Sequence, residues 1–161
     1  MPALGGTNVI APGLSSSKPA RARSVTVWIP AGTLTGSEQT RSLVADSGGS
    51  ADVVPLDVTD DDSRKRVVQQ LVDRHGDAFD ILVNVAGIDR PGYITDIDLA
   101  DYRRVQAVNC EGPVFLTSEF MKRVQHLPEG RTADVVHVVS LSALTAGSGA
   151  IAYNGSKAGF L

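Results

Sequence analysis

The sequence has little of what several classes of protein require. It contains one cysteine, Cys110, in 161 residues, which excludes an internal disulfide framework and a cysteine-based metal site. Its histidines lack the spacing of metal ligands, so no metal site is predicted; they are His75, His126 and His137. The net charge is −3, which gives no indication of a nucleic-acid or anionic-membrane partner.

Long apolar segments are also missing. No apolar run approaches the roughly 20 residues needed to span a membrane. The N-terminus lacks the basic segment and apolar stretch of a signal peptide. We therefore expect a cytoplasmic location with no membrane partner.

The overall composition is that of a soluble globular protein, with 42% hydrophobic and 20% charged residues. The length fits one domain that can bury a core. We predict a poorly defined N-terminal segment over residues 1–23 and a domain over residues 24–161.

Apolar strand patterns alternate with helical patterns along this domain. Strands are predicted at 24–30, 51–56, 79–85 and 135–139, and helices at 35–45, 61–75 and 98–123. Thr59 to Asp62 fits a capping box at the start of the second helix, and Pro113 should kink the third. The alternation predicts a doubly wound, mostly parallel α/β sheet with helices on both faces.

The most informative stretch is at the C-terminus. Ser140 closes the apolar run 135–139, and Tyr153 and Lys157 follow after a loop rich in Gly, Ser and Ala. Residues four apart lie on one face of a helix, so the phenol and the ammonium would be neighbours. The strand-end serine would stand beside them, at the edge of the sheet where open α/β folds bind ligands.

This grouping suits proton transfer to or from an alcohol or carbonyl oxygen. A free tyrosine has a pKa of about 10, and a nearby cation favours the phenolate. Tyr153 would act as the acid/base, and Ser140 would hydrogen-bond the oxygen on which charge develops. Tyr-x-x-x-Lys by itself is common on amphipathic helices, so its value depends on matches elsewhere.

The arrangement resembles the active site of the short-chain dehydrogenase/reductase family. There a strand-end Ser precedes the Tyr-x-x-x-Lys helix by thirteen residues, and here 153 − 140 = 13. Ser142 is the weaker candidate because its spacing is shorter by two. The resemblance implies that Lys157 also binds the ribose of a nicotinamide cofactor, NAD or NADP, and that the substrate is a small alcohol or carbonyl compound.

Further motifs match the family in order along the chain. Asp57 and Val58 resemble its Asp-Val pair at the adenine ring, although a strand end followed by a helix cap explains them equally. Asn84, Ala86 and Gly87 resemble its Asn-Asn-Ala-Gly motif, with Val85 in place of the second Asn. In the family, the Asn braces the central strands and Ala-Gly lies along the cofactor.

Asn109 lies in Val-Asn-Cys-Glu-Gly, which resembles the family's Val-Asn-x-x-Gly. There the Asn holds a water that connects the Lys to solvent, which completes a catalytic tetrad. The alternative for Asn109 is a helical asparagine at a kink.

The N-terminal segment departs from the family's glycine-rich turn. Residues 4–11 can be laid on Thr-Gly-x-x-x-Gly-x-Gly, but only Gly5 matches, with Val9 and Ala11 at the later glycines. Those glycines permit close approach to phosphates, which a β-branched valine would obstruct. A Ser-, Pro- and Gly-rich disordered tail is the alternative.

Two hypotheses from different classes remain. The first is an NAD(P)-dependent oxidoreductase, with no readable preference because Pro30-Ala31-Gly32 supplies neither a carboxylate nor an arginine at the expected strand end. The second is a truncated, non-catalytic relative or a fragment of a longer enzyme, since family members continue for roughly two fifths of their length beyond the matched segment. The resemblance also implies a possible homo-oligomer, a dimer or tetramer, formed through the two long helices.

Overall fold

The structure is a computed structural model that describes residues 8–10, 24–29, 34–145, 147 and 149–159. Its strands are β1 (Asn8–Ile10), β2 (Ser24–Ile29), β3 (Ser50–Pro55), β4 (Ile81–Asn84) and β5 (Asp134–His137). Its α-helices are α1 (Leu34–Asp46), α2 (Asp61–His75), α3 (Leu99–Gln106), α4 (Gly112–Val124) and α5 (Ile151–Ala158). A π-helical turn (Ala107–Glu111) joins α3 to α4, and short 3-10 turns cover Gly76–Ala78 and Leu141–Ala143.

The strands form one sheet in the order β3-β2-β1-β4-β5. β2 and β3 are parallel, with Val27 paired to Val53, and β4 and β5 are parallel, with Val83 paired to Val136. The order places the crossover at β1, as in a doubly wound α/β fold. The fold class predicted from the alternation of strands and helices is confirmed.

The central strand departs from the parallel pattern. β1 runs antiparallel to both of its neighbours, with Val9 paired to Val27 on one side and to Val83 on the other. Val9 therefore lies in a strand, where the alignment with the glycine-rich turn had placed a loop residue. Gly5, the one matching glycine of that alignment, lies outside the described residues. This strand could not be predicted from the sequence, because three residues are too few for a period of two to be recognised.

Helix α2 has the predicted bounds, but its cap differs from the prediction. The N-cap is Asp60, whose carboxylate accepts a hydrogen bond from the Ser63 amide at 2.5 Å. The predicted capping box, which began one residue earlier at Thr59, is wrong, because the Thr59 hydroxyl instead donates to the Asp57 carboxylate at 2.7 Å. The side chain of Thr59 thus closes the strand-end turn, and Asp60 caps the helix.

The long predicted helix is divided by the π turn. The irregularity predicted from Pro113 lies just before it, where the Gly112 amide donates to the Ala107 carbonyl, five residues back. A proline lacks the amide that would continue the ladder of α-helical hydrogen bonds. The wider turn accommodates this missing donor and rotates Asn109 inward.

The core lies between the sheet and the pair α2 and α4. Phe79, two residues before β4, packs edge-to-face on Phe120 of α4, with ring centroids 5.1 Å apart. Apolar residues of α2, of α4, and of β3 and β4 with the segments that follow them complete this core: Val54, Leu56, Val58, Val67, Val68, Leu71, Leu82, Ala86, Leu116 and Val124. The packing fixes α4, and the π turn that precedes it, against the ends of β3 and β4.

A single glycine allows this close approach. A Cβ atom on Gly112 would lie 2.8 Å from the Val58 carbonyl oxygen and 2.9 Å from Val58 Cγ2. It would also lie 3.0 Å from the Ala107 carbonyl oxygen. Two of the three atoms belong to the backbone, so they cannot move aside without shifting the strand end or the π turn.

We expect Gly112→Ala to lower the free energy of unfolding by about 1–3 kcal/mol, because the added methyl overpacks this contact. Urea unfolding of the purified chain measures the change. Gly155→Ala in α5 is the matched control, since its Cβ would meet only Gln106 Nε2 at 3.7 Å. That variant should be as stable as the wild type or more so. Equal stabilities of the two variants would show that the contact of Gly112 with Val58 does not require a glycine.

Candidate active site

The predicted site residues lie where β4 and β5 end side by side. The Val138 amide donates to the Asn84 carbonyl at 2.8 Å, which carries the parallel pairing one step past β5. Residues 85–88 follow β4, and residues 138–140 follow β5. The carboxyl ends of parallel strands form the edge at which open α/β sheets bind ligands.

Asn109 connects separate parts of the chain at this edge. It is 1% exposed, and the π turn directs its side chain inward. Its Oδ1 accepts from the Ile88 amide at 2.7 Å, and its Nδ2 donates to the Ile88 carbonyl at 2.8 Å and to Ser156 Oγ at 3.0 Å. The side chain therefore joins the segment after β4 to helix α5. π turns of this kind are frequent at functional sites.

Ser156 is a site residue that the sequence analysis missed. It is fully buried, accepts from Asn109, and donates its own hydroxyl proton to the Tyr153 carbonyl at 2.7 Å. The available signal was its position three residues after Tyr153, on the same face of the helix. Without knowledge of the contact with Asn109, that spacing did not distinguish Ser156 from an ordinary helical serine.

Lys157 is buried at the same edge. Its Nζ donates to the Val138 carbonyl at 3.1 Å, and an ideal Cβ on Gly87 would lie 3.4 Å from Nζ and 3.7 Å from Asn109 Oδ1. Burial lowers the pKa of Lys157 below its ordinary value of 10.5, because the ammonium loses water. The predicted neighbours Asn109, Gly87 and Lys157 are brought together.

Tyr153 stands one turn before Lys157 on α5 and is half-buried. The Lys157 ammonium lies over the Tyr153 ring, 5.8 Å from its centroid. The predicted proximity of phenol and ammonium on one helix face is thus present, and the ammonium lies at the ends of β4 and β5.

Ser140 lies two residues beyond the carbonyl that Lys157 contacts. It precedes the 3-10 turn Leu141–Ala143, and its Oγ accepts from the Ser142 amide at 3.2 Å. This turn packs against α5. Ser140 is therefore on the loop that adjoins the helix of Tyr153 and Lys157, and its hydroxyl proton can be donated to a ligand.

Asn84 belongs to a polar cluster inside the sheet. It is buried, and its Nδ2 lies 3.0 Å from Thr117 Oγ1 on α4 and 3.1 Å from His137 Nδ1 on the paired strand. Asn84 thereby connects β4 to β5 and α4. Burial lowers the pKa of His137 below its ordinary value of 6.5, so the neutral ring is favoured next to Asn84.

Asp57 and Val58 form the far end of the candidate site, at the end of β3. The Asp57 carboxylate accepts from the Thr59 amide at 2.9 Å and from the Thr59 hydroxyl, which makes a local turn. Asp57 remains exposed, whereas Val58 is buried. The structure thus shows the strand end followed by a helix cap, with Asp60 as the cap, and it leaves the Asp57 carboxylate exposed.

No helix in the described part of the chain is long and apolar enough to cross a membrane. Over the same residues, no cluster of three or more His, Cys, Asp or Glu side chains could hold a metal ion.

Comparisons with known proteins identify the family of the chain. A family model described as short chain dehydrogenase matches residues 13–161. The chain is 34% identical over 117 residues to 1-deoxy-11-beta-hydroxypentalenate dehydrogenase of Streptomyces arenae, covering 71% of this chain and 40% of that protein. It is 34% identical over 113 residues to a 3-oxoacyl-acyl-carrier-protein reductase of Thermotoga maritima, covering 70% and 44%.

The solved structures show the same relationship. A short-chain dehydrogenase/reductase from Burkholderia xenovorans superposes with a TM-score of 0.72 at 30% identity, over 79% of this chain and 49% of that one. These are oxidoreductases built on a doubly wound fold. The chain belongs to the short-chain dehydrogenase/reductase family, and it spans about two fifths of the length of the curated relatives it matches.

We expect the stability of the chain to fall as the pH drops below 6.5. A histidine whose folded pKa is lowered favours folding fully above its unfolded pKa, and that contribution is lost as the unfolded state takes up the proton. His137→Asn keeps an acceptor near the position of Nδ1 and removes the titration. Urea unfolding at pH 5.5 and 7.5 should show a smaller loss of stability in this variant than in the wild type.

His126→Asn is the control for this experiment, because that side chain is exposed at the end of α4. It should retain the pH dependence of the wild type. The assignment to His137 fails if His137→Asn keeps the full wild-type loss of stability between the two pH values.

Proposed function

We propose that the chain carries the catalytic centre of an NAD(P)-dependent oxidoreductase that interconverts an alcohol and a carbonyl compound. The observation that supports it most strongly is the linkage of Asn109, Tyr153 and Lys157. One hydrogen-bonded and packed group joins all three at the edge formed by β4 and β5. Family membership provides the reaction class.

The residues present fit the nicotinamide and ribose end of such a cofactor. Lys157 donates one hydrogen bond within the described residues, to Val138, and an ammonium has three donors. Two donors therefore remain for ribose hydroxyls. The Gly87 backbone lies beside this ammonium without a side chain in between. When bound, the nicotinamide would accept the hydride from the alcohol carbon.

In this scheme, side chains of the protein transfer the proton. In the direction of oxidation, the Tyr153 phenolate takes the hydroxyl proton of the alcohol as its C–H bond breaks, and the carbonyl product forms. The buried ammonium of Lys157 stabilises the phenolate, and the Ser140 hydroxyl donates a hydrogen bond to the reacting oxygen. Reduction reverses each step, with the phenol as the proton donor.

Asn109 contributes by position. It fixes the backbone of Ile88, next to the cofactor-binding Gly87, and holds Ser156 between Tyr153 and Lys157. In this proposal Asn109 also supports a relay that returns the proton to solvent, as the family resemblance implies.

For the remaining predicted cofactor contacts we propose three regions. Asn84, Ala86 and Gly87 would lie along the cofactor at the end of β4, and Asp57 with Val58 would contact the adenine. Gly5 stays a prediction for the phosphates. NAD and NADP are both retained as candidates, and a titration with NADH and NADPH would separate them.

The relatives are named for chemically diverse hydroxyl and oxo substrates, among them sorbitol, L-rhamnose and hydroxysteroids. We propose a small-molecule alcohol or carbonyl substrate and a cytoplasmic setting.

A homo-oligomer is also proposed, and the exposed apolar residues Val114, Phe115 and Met121 on α4 are consistent with such a contact. Light scattering on the purified chain would test it.

We expect Tyr153→Phe to lower turnover by about 10²–10⁴-fold, the range for losing a general acid/base. The change removes the hydroxyl and keeps the ring against Lys157, so the dissociation constant of the cofactor should be nearly unchanged. Nicotinamide absorbance during oxidation of a panel of secondary alcohols measures turnover.

Tyr102→Phe is the matched control, since Tyr102 lies on the exposed side of α3, and it should retain wild-type turnover. Undiminished turnover in Tyr153→Phe would remove Tyr153 from the mechanism. A folded wild-type chain that turns over no substrate would favour the alternative of a truncated, non-catalytic relative.

A further inference from the structure

We propose that Arg64 is a positioning residue that holds the Asp57-Val58 segment in the conformation that receives the adenine ring. The inference rests on the proposed function, because it assumes a nicotinamide dinucleotide with its adenine at the end of β3. Arg64 lies in the first turn of α2, belongs to none of the family motifs found in the sequence, and is 6% exposed.

The guanidinium of Arg64 holds the strand end directly. Its Nη1 donates to the Val58 carbonyl at 2.6 Å. The same carbonyl oxygen packs against Gly112, where a Cβ would lie only 2.8 Å away. The peptide group after Val58 is therefore fixed between a charged donor on α2 and the backbone at the start of α4.

The residue before Arg64 holds the other side of the segment. Ser63 Oγ accepts from the Asp57 amide at 3.1 Å. The two consecutive residues Ser63 and Arg64 thus bind the amide of Asp57 and the carbonyl of Val58. Both proposed adenine contacts are held by the first turn of one helix.

Stability alone explains this arginine poorly. A buried guanidinium loses hydration, and an apolar residue of similar size is often as stabilising or more so. Its ion-pair partner, Asp61, lies 3.0 Å from Nη2 but is itself largely exposed, which weakens the attraction. The Arg64 Nε has no partner within the described residues. The shortest hydrogen bond of the guanidinium is the one to the Val58 carbonyl, at 2.6 Å.

Phe115 keeps the guanidinium in this place. The Arg64 Cζ lies 5.5 Å from the centroid of the Phe115 ring on α4, in a cation–π contact. An exact replacement would need both a planar donor and a long side chain. Lysine keeps a charged donor for the Val58 carbonyl but lacks the planar guanidinium, and methionine lacks both.

The test compares the adenine half of the cofactor with the whole. Dissociation constants for NADH and for AMP are measured on the wild type, Arg64→Met and Arg64→Lys, by nicotinamide fluorescence and by displacement of NADH. We expect both constants to rise by the same factor in Arg64→Met, about tenfold for the loss of a charge-assisted hydrogen bond. Arg64→Lys should recover part of the loss.

Three further readouts separate positioning from a merely structural role. Circular dichroism should show all variants folded, and Arg104→Met, which removes an exposed arginine on α3, should bind both ligands as the wild type does. In turnover, the KM for the cofactor should rise while kcat at saturation stays unchanged.

Constants within twofold of the wild type in both Arg64 variants would overturn the inference, as would weaker binding of NADH with unchanged binding of AMP. If Arg64→Met does not fold, Arg64→Lys decides by the same criteria. A folded wild type that binds neither ligand would contradict the proposed function itself, which is a different result from wild-type binding that Arg64 does not affect.

Discussion

The hydrogen bonds of Asn109 are the interaction on which the candidate site depends. One buried side chain satisfies both backbone groups of Ile88 and the hydroxyl of Ser156. It thereby fixes the segment after β4 against α5, two parts of the chain that are far apart in sequence. A buried amide that lost these partners would carry a desolvation cost of about 1–3 kcal/mol for each unsatisfied group. The position of α5 at the sheet edge is therefore strongly specified.

The placement of α5 has a chemical consequence. Asn109 holds Ser156, and the next residue, Lys157, reaches the Val138 carbonyl just after β5 and loses much of its water. Tyr153 stays half-exposed one turn earlier. A desolvated ammonium acts more strongly on a neighbouring phenol than a hydrated one would. At the other end of the site, the first turn of α2 holds the end of β3. Two helices thus hold the two ends of the candidate site, and the sheet sets the distance between them.

Much of this arrangement could be predicted from the sequence, because periodicity and spacing are local signals. The four-residue step from Tyr153 to Lys157 and the apolar stripe of α2 indicated those helices. The apolar runs that lead to Asn84 and Ser140 indicated the edge, although β5 itself ends at His137. What sequence reasoning missed depends on tertiary contacts. The reversed direction of β1 follows from pairing with distant strands, and the role of Ser156 depends on Asn109, 47 residues away. The hydrogen bond of Arg64 to Val58 could not be seen either, since an arginine in the first turn of a helix is usually solvated.

The burial of the Lys157 ammonium beside Tyr153 depends on Asn109, which holds α5 in place. A pH titration of Lys157 by NMR tests this dependence, following the ¹³C resonance of the carbon next to Nζ, with Lys157→Met to assign it. We expect a pKa below 10.5 in the wild type and a rise toward that ordinary value in Asn109→Leu, because α5 is released and the ammonium regains water. An ordinary pKa in the wild type, or an equally lowered one in Asn109→Leu, would contradict it.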